Sequence, residues 1–405
     1  MEKALLVLID FQSAPKQALP AEREAELDSL AVAARLKPLK VFHARHAKPN
    51  SSLLIGSGKA AEIAETAARL KAEVVVFEDD LSPSQQRNLE TLLNVKTIDR
   101  TQLILDIFAS RARMAEGKVQ VELAQLQYLL PRLTGKGVEL SRLGGGVGTR
   151  GPGEQKLETD RRRIRARIAR LTSELKELKN RRHAGLERKK EMNLPVVALV
   201  GYTHAGKSTL FNALTDARVE VRHRLFSTLD TITRLIRLPH NQQALLVDTV
   251  GFIRDLPHHL VESFKATLEE TIHADLLLHV ADASRPDLAG VEAAVRSVLE
   301  SLGVETRDVL KVFSKADLVA GHPRPGLYVS AKTGEGLKAL REALALKLSG
   351  ERRTRLVFVP RGRLGLVPLF YKEGEVLGRR DRDGGAELTV SLSDRAFETL
   401  CRRLS

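Results

Sequence analysis

Cysteine is nearly absent: the 405 residues include one, Cys401. A disulfide framework is thereby excluded, and so is a cysteine metal cluster. Such a chain suits a reducing compartment, and a cytoplasmic location is expected, with peripheral membrane association also compatible. Long hydrophobic runs are missing too. No stretch of about 18 apolar residues occurs, so no membrane-spanning helix is expected. The opening MEKALLVLID carries Glu2 and Asp10 and lacks a small-residue cleavage site, so it reads as a first strand and not a signal peptide.

What the chain has in excess is positive charge. Its formal net charge is +14, while 43% of its residues are hydrophobic, enough to fill cores. The excess is concentrated. Between Arg150 and Lys190, 15 Lys/Arg stand against 6 Asp/Glu, a net of +9. Concentration favours a surface for an anionic partner, nucleic acid above all, over general solubility. A solvated coiled-coil face is the alternative reading of RRRIRARIAR at 161–170.

The pattern along the chain divides it in four. Apolar runs at 3–10, 39–43, 74–77 and 95–98 alternate with helical patterns near 21–35, 57–70 and 84–93, which predicts an N-terminal α/β domain over 1–113. Segment 114–193 differs. Val119, Leu123, Leu126, Leu130 and Leu133 form one narrow apolar stripe. Leu157, Ile164, Ile168, Leu171, Leu175 and Leu178 form another, and together they predict an antiparallel helical hairpin. Its connection, 134–153, holds eight glycines with Lys136, Arg142 and Arg150, a backbone able to approach phosphates or an RNA surface closely. Leu194-Pro195 ends the basic helix. From 194 to 349 the pattern is again β/α, with apolar runs at 196–200, 244–248, 276–282, 309–313 and 327–330 reading as buried parallel strands. Residues 350–405 predict a small α+β domain with a turn at Asp383-Gly384-Gly385 and a helix begun by Ser393-Asp394. The fold class is therefore α/β: a P-loop domain with an N-terminal α/β domain, a helical hairpin and a small C-terminal α+β domain.

The chemistry lies in the third segment. Gly201, Tyr202, Thr203, His204, Ala205, Gly206, Lys207 and Ser208 fit G-x-x-x-x-G-K-[ST] between the strand VVALV and the helix STLFNALT. Glycines let the backbone wrap a phosphate, and the helix adds its positive N-terminal dipole. Lys207 reaches the β/γ-phosphates as the catalytic cation, and the Ser208 hydroxyl ligates Mg2+. Asp248, Thr249, Val250 and Gly251 end the strand ALLVD as D-x-x-G, with Asp248 meeting Mg2+ through water and the Gly251 N–H meeting the γ-phosphate. Ser314, Lys315, Ala316 and Asp317 occupy the place of the guanine motif N-K-x-D. A carboxylate there accepts two hydrogen bonds from guanine that adenine lacks, so Asp317 favours GTP. Ser314 departs from the usual Asn, which braces the base site and the phosphate loop. Ser330, Ala331 and Lys332 match the S-A-K loop behind guanine O6. The switch I hydroxyl for Mg2+ must come from LFSTLDTITR, where Thr228, Thr231 and Thr233 are candidates.

With these residues the chain closely resembles the HflX family, in the Obg–HflX group of translation-factor-type GTPases. The likeness covers most of the chain. It rests on IGSGKAAEI at 55–63, on VQVELAQLQYLLPRLTGKGVELSRLGGGVGTRGPGEQKLETDRRRIRARI, on GYTHAGKSTLFNALT and on DTVGFIRDLPHHLVESFKATLEETIHADLLLHVADAS. The resemblance implies that Thr228 is the Mg2+-binding switch I threonine and that Phe226, Ser227, Thr228, Leu229 and Asp230 contact nucleotide. It implies GTP/GDP and Mg2+ as cofactors, and as partners the large ribosomal subunit and its ribosomal RNA, with stalled ribosomes split under stress. A monomer is expected. His204, where the family usually has Asn, and Ser314 are departures.

Position 252 after D-T-V-G is Phe, where Ras-like enzymes place a water-orienting Gln. Slow intrinsic hydrolysis is expected, stimulated on the ribosome and resting on Lys207, Mg2+ and positioning. Two other readings stay open: a nucleotide-driven RNA remodeller that uses ATP, left possible by Ser314, and a scaffold that binds nucleotide without turnover, which the complete Mg2+ set disfavours.

Overall fold

A computed structural model describes residues 1–13, 18–112, 114–133, 152–191, 194–215, 232–240, 242–254, 272–304, 309–321, 324–349, 353–392 and 394–404. Two compact units are present, one built on the chain up to Ala184 and one on the chain from Gly185.

In the first unit, β1 (Glu2–Phe11), α1 (Pro20–Ala33), β2 (Leu36–His46), α2 (Ser57–Leu70), β3 (Val74–Phe77), α3 (Pro83–Leu93), β4 (Lys96–Asp99) and α4 (Arg100–Arg111) form a parallel sheet of order β2-β1-β3-β4 with its helices. Ala4–Ile9 of β1 are all buried, because a central parallel strand is covered on both faces and cannot alternate. Pro38 is tolerated in β2 because that strand is an edge, and the register slips opposite Ala4 and Leu5. The α3 start is a capping box between Ser82 and Gln85. Helix α4 has no counterpart in the sequence reading. It follows β4 with no loop, and its cap, Asp99, is the last strand residue and accepts from the Gln102 N–H at 2.9 Å.

Helices α5 (Ala115–Arg132) and α6 (Pro152–Glu191) carry the two apolar stripes. Val119, Leu123, Leu171 and Leu175 pack into one cluster, with Leu126, Ile168 and Leu178 against it. Arg167 forks onto Glu122 at 2.7 and 2.9 Å. Arg162, Arg163, Arg165 and Arg170 are exposed on α6. The connection with Lys136, Arg142 and Arg150 lies outside the described residues.

In the second unit, β5 (Val196–Val200), α7 (Lys207–Thr215), β6 (Ile232–Arg237), β7 (Gln243–Asp248), β8 (Leu276–Asp282), α8 (Leu288–Ser301), β9 (Val309–Ser314), β10 (Leu327–Tyr328) and α9 (Leu337–Ser349) build a sheet of order β10-β9-β8-β5-β7-β6. The five runs read from sequence pair in parallel. The sixth, β6, was not expected and runs antiparallel on the edge beside β7. Thr233 is part of it, opposite Val247. The core gathers Leu199, Phe211, Leu246, Leu278, Val312 and Leu340. Every motif sits just past the carboxyl end of a strand, where a parallel sheet presents its ligand crevice.

The same unit holds β11 (Arg353–Pro360), a 3-10 turn (Arg361–Leu366), α10 (Val367–Glu373), β12 (Glu375–Arg382), β13 (Gly385–Leu392) and α11 (Asp394–Leu404). The strands form an antiparallel sheet of order β11-β13-β12, backed by Phe370 and Leu400. Gly384, at φ 101°, turns β12 into β13 at the place the sequence marks.

Candidate functional site

The phosphate-binding loop leaves β5 at Gly201, whose φ is 152°. A Cβ there would lie 2.3 Å from the Val280 carbonyl oxygen of β8, so only glycine lets the loop pass this strand. His204 adopts a left-handed φ of 62°, a region that Asn and His enter more readily than most residues. That shared tolerance explains how His can stand at a family Asn position. Gly206 follows at φ 88° and α7 begins at Lys207.

Lys207 is 7% exposed and donates to the carbonyls of Gly201 (3.0 Å) and Tyr202 (2.9 Å). Burial pushes its ammonium down to about 8, while the Asp248 carboxylate pulls the other way. The Ser208 hydroxyl donates to Asp248 Oδ2 at 2.6 Å, and Asp248 is fully buried. Two hard oxygen donors side by side at a phosphate loop suit Mg2+, which takes one or two protein oxygens and completes its shell with water and phosphate. Thr249 is fully buried and its hydroxyl donates to the Leu199 carbonyl at 2.5 Å, fixing the end of β7 to β5.

The D-x-x-G segment is stitched to the phosphate loop. The Thr203 N–H donates to the Phe252 carbonyl at 2.8 Å and the Phe252 N–H to the Gly201 carbonyl at 3.1 Å. Gly251 must be glycine for this approach, since a Cβ would come within 2.9 Å of Thr203 Cγ2 and 3.0 Å of Lys207 Nζ. Arg254 donates its N–H to the Tyr202 hydroxyl at 3.2 Å and pairs its guanidinium with Asp287, which also caps α8 through the Gly290 N–H at 3.2 Å. Sequence reasoning gave Tyr202 only a place in the loop and missed Arg254 and Asp287. An Asp just ahead of a helical pattern, as a cap, was the available signal.

At the base end, Ser314 performs one task of the missing Asn. Its hydroxyl donates to the Ala205 carbonyl at 2.6 Å and lies 3.2 Å from that of Ala281, so β9 still braces the phosphate loop. Lys315, at φ 57°, binds Asp282 Oδ2 at 2.6 Å. Asp282 was also missed, although a carboxylate closing a parallel strand is a recognisable signal. The exposed Asp317 carboxylate is oriented through Oδ1, which accepts from the buried Ser330 hydroxyl at 2.7 Å. Ala316 donates its N–H to the Val329 carbonyl at 3.1 Å, joining this turn to the loop that carries Ser330, Ala331 and exposed Lys332. Phe226, Ser227, Thr228, Leu229 and Asp230 lie outside the described residues, as does Thr231. Among the described residues no helix is long and apolar enough to cross a membrane.

Four family profiles match consecutive stretches. They are described as GTP-binding GTPase N-terminal (21–109), GTP-binding GTPase Middle Region (111–189), 50S ribosome-binding GTPase (196–315) and HflX C-terminal domain (319–405). The GTPase HflX of Caldanaerobacter subterraneus subsp. tengcongensis is 44% identical over 402 residues, covering 97% of this chain and 93% of that protein. That of Escherichia coli K12 is 42% identical over 413 residues, covering 99% and 96%. That of Alkalihalophilus pseudofirmus is 47% identical over 331 residues, covering 80% and 78%. Likeness of this extent reaches well beyond the phosphate loop that many nucleotide-binding proteins share, and this chain belongs to the HflX family of GTPases, which bind and hydrolyse GTP with Mg2+.

Proposed function

We propose that the chain is a ribosome-associated GTPase that binds the large subunit in its GTP state and dissociates or rescues stalled ribosomes. In this reading it works through four segments, 1–113, 114–193, 194–349 and 350–405. The site residues are those at 201–208, 226–230, 248–251, 314–317 and 330–332. Lys207 holds the β/γ-phosphates, Ser208 and Thr228 are the metal ligands, and Asp248 acts on the metal through water. Bound Mg2+ supplies positive charge where negative charge builds on the transferred phosphoryl group. Asp317 reads guanine, and Ser330 keeps its carboxylate facing the base.

One observation carries the ribosomal part of the reading. The exposed arginines of α6, Arg162, Arg163, Arg165 and Arg170, share a helix with the leucine stripe that anchors it to α5. Arg163 and Arg165 also pair with Asp160 and Glu158 of the helix, at 3.7 and 3.6 Å, and the face offers its cations at the spacing of a helix to the phosphates of ribosomal RNA. A phosphate-loop domain of the type described as 50S ribosome-binding follows directly. The Phe252 ring, which cannot accept a hydrogen bond from water, fits an enzyme that is slow until its partner orders the switches. The cytoplasm is the compartment this reading requires.

Sedimentation tests it. The purified chain is mixed with ribosomes in GTP, a non-hydrolysable GTP analogue, GDP or ATP. Co-migration with large subunits in the GTP-like state, lost with GDP, is the expected result. No association in any nucleotide state would sink the ribosomal reading and leave a GTPase with another partner. Association driven equally well by ATP would favour the RNA-remodeller reading.

A further inference from the structure

Lys315 heads the turn that carries Asp317. It caps the 3-10 turn Ala316–Leu318 with a φ of 57° and a ψ of 40°, and the Leu318 N–H closes the turn on the Lys315 carbonyl at 3.0 Å. A left-handed lysine is uncommon, and such a residue persists only where its surroundings hold it. Asp317 is the middle residue of that turn, so whatever holds Lys315 also aims Asp317.

Asp282 is placed to do this. It ends β8 opposite Ser314 of β9 and is 6% exposed. Both of its carboxylate oxygens are committed. Oδ1 accepts from the Ser284 N–H at 3.0 Å and from the Ser284 hydroxyl at 2.6 Å. That local turn fixes the carboxylate and presents Oδ2, which accepts from the Lys315 ammonium at 2.6 Å. The next residue, Ala283, donates its N–H to the Ser314 carbonyl at 3.0 Å, so one short loop grips the chain on both sides of the bond between Ser314 and Lys315. Ser314 cannot take over this task. A serine has one proton to donate where Asn has two, and that of Ser314 goes to the phosphate loop at the Ala205 carbonyl.

We propose that Asp282 is a positioning residue for guanine recognition: by holding Lys315 it keeps the turn in the form that presents Asp317 to the base. The inference deepens the reading of Asp317 given above and rests on it.

Asp282→Asn removes the charge and leaves an amide oxygen for Ser284. Full-length wild type, Asp282→Asn, Lys315→Met and the double variant are titrated with GDP and with inosine diphosphate, whose base lacks the exocyclic amine that would donate to Asp317. Phosphates and ribose are the same in both, so the ratio of affinities reads the Asp317 contact, and a general loss of structure would lower both together. Asp282→Asn is expected to bind GDP roughly tenfold more weakly while inosine diphosphate changes much less, so that the preference for guanine shrinks. Lys315→Met should do the same from the exposed side of the pair. The double variant should be no worse than the weaker single, because both changes break one link. An unchanged ratio in Asp282→Asn would overturn the proposal, as would losses that multiply in the double variant. Asp317→Ala tests the reading beneath it. If Asp317→Ala left the wild-type ratio in place, the guanine reading itself would fall. If it abolished the ratio while Asp282→Asn kept it, only the role of Asp282 would.

Discussion

Lys207 has lost most of its water and is held by two loop carbonyls, and the linkage to nucleotide binding follows from that. In the nucleotide-free chain its pKa is pushed from 10.5 to about 8, chiefly by burial. Phosphate oxygens placed against it favour the charged form and raise the pKa again. Below pH 8 the free protein already carries the proton, so affinity is flat there. Above pH 8 binding must take up a proton, and GDP affinity is expected to fall by up to about tenfold per pH unit. Titration with GDP between pH 7 and 10 checks this, and a profile level across that range would contradict it. At this scale the site was widely legible, because the residue types are forced. Gly201 and Gly251 are dictated by the Val280 carbonyl and by Thr203 and Lys207, so the motif letters stand for close approaches. What the letters could not show is substitution by function. Ser314 lacks the amide of Asn, yet its hydroxyl reaches the Ala205 carbonyl, and only the distance reveals that the brace survives.

Helix α1 shows the reverse case, an element whose pattern conceals its task. The segment AEREAELDSL reads as a solvated, charged helix, but Arg23 is 5% exposed. Its guanidinium pairs with Asp10 at the end of β1 and with Glu78 just beyond β3, and donates to the Ile9 carbonyl at 2.9 Å. The strand order reverses between β1 and β3, and Arg23 fills the crevice that the reversal opens. Its partners stand 13 and 55 residues away, so no local pattern announces them. Arg23→Ala would leave Asp10 and Glu78 facing each other without a cation, a loss of about 3 kcal/mol. Urea unfolding followed on the first unit should show a clear drop in midpoint, larger than for Glu22→Ala on the same helix. Equal midpoints would mean water replaces the guanidinium at no cost. Strands β1, β3 and β5 were readable because buried central parallel strands are apolar along nearly their whole length. Helix α4 was not, being joined to β4 without a loop, nor was edge strand β6, whose ITRLIR mixes apolar and charged residues.

For the whole molecule the charge distribution makes the sharpest prediction. A net +9 between Arg150 and Lys190 is the larger part of the +14 total, and the described arginines of α6 do not all serve one purpose. Arg167 is committed to Glu122, and Arg163 and Arg165 pair at 3.7 and 3.6 Å with Asp160 and Glu158 on their own helix, whereas Arg162 and Arg170 are exposed along the same stretch. If α6 meets ribosomal RNA, each phosphate it neutralises releases counterions, and log affinity falls linearly with log salt. Replacing Arg162 or Arg170 by Ala should then weaken ribosome binding and make the slope shallower by about 0.7–0.9 per arginine. GTP hydrolysis by the isolated chain should not change, because neither residue belongs to the nucleotide site. Stimulation by ribosomes should fall in step with binding. Arg167→Ala serves as the control: losing a surface ion pair costs at most about 1 kcal/mol and should leave the slope largely intact. Equal slopes for wild type and all variants would assign the basic helix to a solvated face and send the search for the ribosome-binding surface elsewhere in the chain.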